Sequence, residues 1–277
     1  MTTPAPRIPL SDGHSIPQIG LGTWPLKDKA VAETIETAIG IGYRHIDTAV
    51  KYGNEKGVGV GVRASGIDRA ELFVTTKLDG KFQGDDKALR GLEDSLDRLG
   101  LDYVDLLLVH WPLPKLGKFT STFRTFQKLK DAGKVRSIGV SNFLPKHLDT
   151  LIDGTGIVPA VNQLQVNPFI TREAQRADGA RRGILTESYS PLAPGTDLLD
   201  HPILATIAEV HGRTPGQIVL RWHVQNGLVA IPKSSNSERL AQNLAVFDFE
   251  LSEDELALVS SLSHGPNAGV DSEKTGH

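Results

Sequence analysis

The fold class that the sequence predicts is a closed α/β barrel of eight strand–helix units, a (β/α)8 TIM barrel. Short apolar runs alternate with stretches of helical periodicity along the chain; they fall at 19–22, 43–46, 72–76, 104–109, 135–140, 160–166, 183–186 and 228–231. No antiparallel hairpin signal interrupts them after the first, which argues a parallel sheet, and eight units favour closure over an open doubly wound sheet. The length of 277 residues suits such a barrel, which needs about 250.

Each element has its own signal. Asp12-Gly13 lies between short apolar runs within Arg7–Pro17, the signature of an N-terminal β-hairpin. Asp85 is expected to cap a helix carrying Leu89, Leu92, Leu96 and Leu99 and ending at Gly100. Thr214-Pro215 opens another that ends at Asn226-Gly227. A helix over Asp200–His211 is one more than eight units require, and the capping box Ser252-Glu-Asp-Glu255 predicts an extra peripheral helix after the last strand. Ser263–His277 is a polar, Gly-rich tail, either flexible or closing over the site as a loop. No linker splits the chain, so residues 1–277 are read as a single barrel domain without a longer repeat.

Composition narrows the function. Hydrophobic residues make up 39% and charged residues 23%, and a formal charge of −3 argues against nucleic acid or an anionic membrane as partner. The absence of cysteine excludes disulfides, thiolate nucleophiles and thiolate-bound metals. No run has the length of a membrane span and the start carries no secretory pattern, so a cytoplasmic protein is expected. Nothing demands more than a monomer.

A parallel barrel builds its site at the carboxyl ends of its strands. Strand two ends at Asp47, strand three in Thr75-Thr-Lys77 and strand four in Leu106-Leu-Leu-Val-His110, with Tyr52 in a loop between. A lone Asp47 or Lys77 would read as a structural ion pair. Four convergent polar groups on three successive strands do not. A free tyrosine, with pKa about 10, is a poor acid at neutral pH, and a nearby ammonium draws that value down. Tyr52 is therefore the candidate general acid, Lys77 its perturbing cation, Asp47 the counter-ion of Lys77, and His110 a donor to a carbonyl oxygen. None of these carries electrons, so a hydride donor must bind beside them.

These four, with Gly20-Leu-Gly-Thr-Trp24, Gly42-Tyr-Arg-His-Ile-Asp-Thr-Ala49, Tyr52-Gly-Asn-Glu55, Val109-His-Trp-Pro112, Gly133–Asn142, Asn162-Gln163 and Ile231-Pro-Lys-Ser234, resemble the aldo-keto reductases over nearly the whole chain. The chain is similar to bacterial members such as 2,5-diketo-D-gluconate reductases. The resemblance implies NADPH-dependent reduction of an aldehyde or ketone, a small-molecule carbonyl substrate. It assigns Ser141, Asn142 and Gln163 to the nicotinamide carboxamide and Tyr189 to stacking on its ring. Gly22, Thr23, Asp47, Ser190 and Leu192 fall among the cofactor-binding positions. Lys233, Ser234, Arg239 and Asn243 match the segment that grips the adenosine 2′-phosphate and adenine, where cations beside a dianion favour NADPH over NADH. Trp24 and Trp111 would wall the substrate pocket, although such side chains also serve as core.

The pattern departs from the commonest one at Gln165 and Asn167, where the family often has Glu and His, and at Asp79, whose carboxylate would make the mouth more polar and repel acidic substrates. Tyr52-Gly-Asn-Glu-Lys56 and the glycines of 53–59 mimic short-chain dehydrogenase motifs, but they overlap in one segment and cannot both serve. His45 is read as a core histidine. His14, His147, His201, His211, His223, His264 and His277 lack metal-ligand spacing and are expected at exposed or capping positions. The alternative to an enzyme is a nicotinamide-binding regulatory subunit on the same fold.

Overall fold

A computed structural model describes residues 4–276. Residues 1–3 and His277, which belong to the expected domain and tail, lie outside the described residues. β1 (Arg7–Pro9) and β2 (Ser15–Pro17) pair antiparallel, with Ile8 opposite Ile16. Gly13 takes φ 88 in the turn, a left-handed conformation that a side chain resists. Ile16 is fully buried in one cluster with Phe73, Leu106, Leu108 and Val229, so the hairpin closes the N-terminal end of the barrel.

Eight parallel strands form the barrel sheet. They are β3 (Leu21–Gly22), β4 (His45–Asp47), β5 (Phe73–Leu78), β6 (Val104–Val109), β7 (Val135–Ser141), β8 (Val161–Gln165), β9 (Leu185–Tyr189) and β10 (Val229–Ala230), hydrogen-bonded in sequence order. The ring closes where Ile19 bridges Ala230 in parallel and Gly22 N donates to Pro232 O at 3.1 Å. Only glycine fits at that seam, because a Cβ on Gly22 would stand 2.9 Å from Ile231 O. Alternation along each strand divides the core into two shells: Leu106 and Leu108 of β6 fill the barrel, while Leu107 and Val109 face the helices.

Those helices are α1 (Asp28–Ile41), α2 (Glu55–Ala64), α3 (Asp85–Leu99), α4 (Phe119–Asp131), α5 (Pro145–Thr155), α6 (Glu173–Arg181), α7 (Pro202–His211), α8 (Pro215–Gln225), α9 (Ser237–Leu244) and α10 (Glu253–Ser260). The expected extra pair is present as α7 and α10, which share an apolar cluster with α8 through Leu204, Ile207, Trp222 and Val259. Both expected capping boxes form, Thr214 with Gln217 and Ser252 with Glu255.

Local geometry corrects the start of α3. Its N-cap is Gly84 at φ 114, and Asp85 is the first helical residue. The chain enters at a positive φ that aspartate resists, so glycine takes the cap and Asp85 instead faces the positive end of the helix dipole. The α2 glycines are packing glycines: a Cβ on Gly57 would strike Asp28 O of α1 at 2.5 Å, and one on Gly59 would overlap Leu99 O of α3 at 1.7 Å. Close helix contact, not phosphate binding, explains the dinucleotide-like pattern there.

Candidate active site

The barrel carries its polar side chains to the carboxyl ends of β4, β5 and β6. Asp47 and Lys77 are the last or nearly last inward residues of β4 and β5, and His110 immediately follows β6. Lys77 is fully buried, and its ammonium meets three acceptors: Asp47 Oδ1 at 2.5 Å, Thr48 O at 2.9 Å and Tyr52 Oη at 3.3 Å. Three N–H groups thus find three oxygens. Burial by itself would lower the Lys77 pKa, but Asp47, with Tyr52, overcomes this and holds the ammonium above its ordinary value. Burial pushes Asp47 up, against the pull of Lys77. Both its oxygens nonetheless accept from donors, Oδ2 from Gln163 Nε2 at 2.8 Å, which is the pattern of an ionised carboxylate.

Tyr52 sits at the end of a short 3-10 turn over Val50–Tyr52, and Gly53 follows at φ 65 to turn the chain away. Asn54 locks that loop: its Oδ1 accepts from Thr48 Oγ1 at 2.7 Å, and its Nδ2 donates to Leu26 O at 2.9 Å. Lys27 Nζ donates to the Tyr52 carbonyl. Edge-to-face contact with the His110 ring, at 5.9 Å between centroids, fixes the phenol from the other side. The expectation that Lys77 draws the Tyr52 pKa down needs correcting. Burial outweighs the ammonium and holds Tyr52 above its ordinary value, so the phenol keeps its proton at neutral pH.

The facing wall comes from β7, β8 and β9. Ser141 Oγ donates to Gln163 O at 2.9 Å, Asn142 Nδ2 to Ser141 Oγ at 3.0 Å, and Tyr189 Oη to Asn142 Oδ1 at 3.0 Å. Asn142 at φ 64 and Ser190 at φ 48 hold left-handed backbone at this wall. Between the walls lies a cavity of ≈ 600 Å³, bordered by Tyr52, His110, Asp47, Asn142, Ser141 and Gln163. Gly22, Thr23, Ser190, Leu192 and Lys233 continue its rim, Tyr189 and Pro191 lie along it, and Trp24 and Trp111 flank its mouth. Trp24 is 61% exposed and Trp111 only 7%, so the two indoles differ in how freely they can adjust.

Four expected residues do not border this cavity. Lys77 lies behind Tyr52, and Ser234, Arg239 and Asn243 lie along the segment leading into and through α9. Ser234 is buried and Arg239 exposed, and Asn243 is buried against the Tyr43 hydroxyl. Asp79 is also absent from the mouth. It is buried at 6% exposure and accepts from Lys81 N at 3.0 Å, capping a 3-10 turn, so it does not supply the expected polar rim.

The altered positions 165 and 167 are structural. Asn167 Oδ1 accepts from Phe169 N and Ile170 N, each at 3.1 Å, and its Nδ2 donates to Ser190 O at 3.2 Å. Gln165 Oε1 accepts from Val270 N at 3.2 Å. That bond and the Arg172 bond to Val270 O, at 2.8 Å, hold the tail across the strand ends, as does the Lys146–Glu273 pair at 2.7 Å. The described part of the tail is a packed loop.

Two residues without an expected role belong here. Lys51 borders the cavity beside Tyr52. Glu187 is fully buried on β9, where it accepts from Gln163 Nε2 at 2.9 Å and lies 3.4 Å from His45 Nε2. Burial first, and then Asp47, push its pKa up to about 8. Its sign in the sequence was alternation: two residues before Tyr189, it must share that residue's inward face. His45 is the expected core histidine, held neutral by burial with its pKa down at about 3. His223 is not at an exposed or capping position; it is fully buried between Val219 O and Val166 O. No metal-binding cluster occurs among the described residues.

Comparison with known proteins places this architecture. The family model for the aldo/keto reductase family matches residues 18–264. The chain belongs to the aldo/keto reductase family. It is an oxidoreductase that converts aldehydes or ketones to alcohols. An aldo-keto reductase of Mycobacterium sp. strain KMS is 48% identical over 267 residues, covering 96% of each chain. The 2,5-diketo-D-gluconic acid reductase B of a Corynebacterium species is 48% identical over 261 residues, 94% of each chain. Among solved structures, a variant of Gox0644 in complex with NADPH superposes with TM-score 0.94 at 42% identity, covering 99% of both chains.

Proposed function

We propose that this chain reduces a small carbonyl compound with Tyr52 as general acid, Lys77 and Asp47 behind it, and His110 orienting the carbonyl. NADPH supplies the hydride. The observation that carries the reading is the Lys77 ammonium, held between Asp47 Oδ1 at 2.5 Å and the Tyr52 hydroxyl at 3.3 Å at the edge of a ≈ 600 Å³ cavity. Tyr52 gives its proton to the carbonyl oxygen as the carbonyl carbon gains hydride, and Lys77 stabilises the phenolate left behind. Because burial holds the Tyr52 proton firmly, the residue enters the cycle as the neutral acid that reduction requires.

The cavity wall suits a nicotinamide: Tyr189 offers an aromatic face, and Gln163, Ser141 and Asn142 offer amide and hydroxyl groups at its edge. Lys233, Ser234, Arg239 and Asn243 would hold the 2′-phosphate and adenine, while Gly22, Thr23, Ser190 and Leu192 would line the path between. Trp24 and Trp111 would enclose the substrate. In this reading residues 1–277 work as one domain, as a cytoplasmic monomer; no helix among the described residues is long and apolar enough to cross a membrane.

A panel of aldehydes, α-dicarbonyls and keto-sugars, followed by loss of NADPH absorbance, tests the reading. Turnover is expected with several of them. Tight NADPH binding without turnover on any would favour a regulatory role. Arg239→Ala should weaken NADPH more than NADH, and equal losses would remove Arg239 from the phosphate site.

A further inference from the structure

We propose that Glu187 is a positioning residue for the hydride donor: with Asp47 it turns both amide hydrogens of Gln163 into the barrel, so that the Gln163 amide oxygen faces the cavity as an acceptor for the nicotinamide carboxamide. The proposal rests on the reading that this cavity takes NADPH.

The geometry leaves Gln163 little choice. Its Nε2 donates to Asp47 Oδ2 at 2.8 Å and to Glu187 Oε2 at 2.9 Å, using both of its hydrogens. An amide flipped by half a turn would set its oxygen against two carboxyl groups, one of them ionised. Gln163 borders the cavity and Glu187 does not, so the carboxyl acts from behind. The register supports this, since Gln163 of β8 lies opposite Glu187 of β9 and both point inward. A primary carboxamide carries an NH₂ donor and a C=O acceptor. A fixed amide oxygen on the wall selects one of its two edges, and that choice sets which face of the ring looks toward Tyr52.

Glu187 can hold this post in either protonation state. His45 and Asp47 from β4, Lys77 from β5 and Tyr52 from the loop after β4 are the titratable groups near it. As a neutral acid it still offers a carbonyl oxygen to Gln163, and the buried cluster then contains one compensated charge pair, Asp47 with Lys77. As a carboxylate it would bind the same hydrogen more strongly.

The test compares two ligands on Glu187→Leu and Glu187→Gln by calorimetry: NADPH, and 2′-phospho-ADP-ribose, which shares everything but the nicotinamide. Glu187→Leu should weaken NADPH by about tenfold, the worth of one hydrogen bond, and the fragment by less than twofold. Glu187→Gln, which keeps an acceptor, should retain near-normal affinity for both. A second readout is the transfer of deuterium from NADPH labelled on one face of C4, which should lose stereospecificity in Glu187→Leu alone. Should the leucine variant fail to fold, Glu187→Ala takes the same measurements, and neither effect should add to that of Gln163→Ala. Equal losses for the two ligands, no loss for either, or full additivity with Gln163→Ala would overturn the assignment and leave the carbonyl-reductase reading standing. A wild-type protein that fails to bind NADPH would overturn both.

Discussion

Asp47 and Asp105 are both buried carboxylates paired with cations on neighbouring elements, yet they serve opposite ends of the barrel. At the N-terminal end Asp105 meets Arg69 at 2.6 Å, Arg136 at 3.3 Å and Val74 N at 2.9 Å. Both guanidinium groups also pack on the Tyr103 ring, their carbons 4.1 and 4.2 Å from its centre. Those arginines reach solvent, with side chains 20% and 40% exposed; Arg69 also donates to the Leu72 carbonyl and Arg136 to the Tyr103 hydroxyl, while Arg69 Nε is buried without a hydrogen-bond partner. At the C-terminal end the Lys77 side chain is 1% exposed, and its third hydrogen points at Tyr52 Oη on the edge of a cavity. One pair is partly wet and carries no group poised to change charge. The other is dry and has one bond to a group that can give up a proton. Burying a charge pair stabilises little by itself; what makes chemistry of it is a partner that changes charge.

Removing that partner should produce the largest effect. Tyr52→Phe deletes one hydroxyl and is expected to lower kcat by about 10⁴-fold while NADPH affinity stays within a factor of a few. Single-turnover kinetics and a binding titration measure the two numbers. A variant within tenfold of wild type would move the acid role elsewhere.

The same deletion logic at the other end should leave turnover alone. Asp105→Ala strands two arginines, and an unfolding free energy lower by about 3 kcal/mol is expected, the low end for a broken buried pair because Arg136 is 40% exposed. Turnover per folded molecule should not change. A loss of kcat without loss of stability would erase the distinction between the two ends. Lys77→Met falls between these cases: kcat should drop by about 10²-fold because the phenolate loses its cation, and Asp47 then takes up a proton to avoid an unpaired buried charge. A kcat that holds in Lys77→Met would show that Tyr52 works without the ammonium.

Much of the C-terminal end was legible in the sequence because it obeys the strand period. Asp47, Lys77 and His110 are marked by position at the ends of apolar runs, and Tyr52 comes within five residues of Asp47. Position does not reveal environment. Whether burial or Lys77 wins at Tyr52 depends on how completely the fold excludes water, and burial wins. Asp79 has the composition of a rim residue but folds back on Lys81 N, a contact of two residues' span that competes with any outward role. Gly84 took the cap from Asp85 for a backbone reason that residue preference does not carry. The N-terminal network left no mark at all: Arg69, Asp105 and Arg136 lie more than thirty residues apart, and only the register of β5, β6 and β7 brings them together.

Glu187 gives the smallest effect and the finest comparison, because it is a buried carboxyl with no cation in hydrogen-bond contact, unlike either aspartate. Its pKa is pushed from 4.5 up to about 8, first by burial and then by Asp47. Between those values the folded protein holds a proton that the unfolded chain has released, so stability must fall as pH rises through the window. The slope approaches ~1.4 kcal/mol per pH unit where the two states differ by one full proton. His45, held neutral in the fold with its pKa at about 3, acts oppositely, adding stability as pH rises from acid towards its ordinary range. Glu187→Gln keeps His45 and removes only the carboxyl. Its stability should therefore gain on wild type steadily from pH 5 to pH 8, read as the difference between two unfolding titrations. Parallel curves would mean that Glu187 is ionised in the fold, and the buried cluster beneath the cavity wall would then carry two carboxylates against the single ammonium of Lys77.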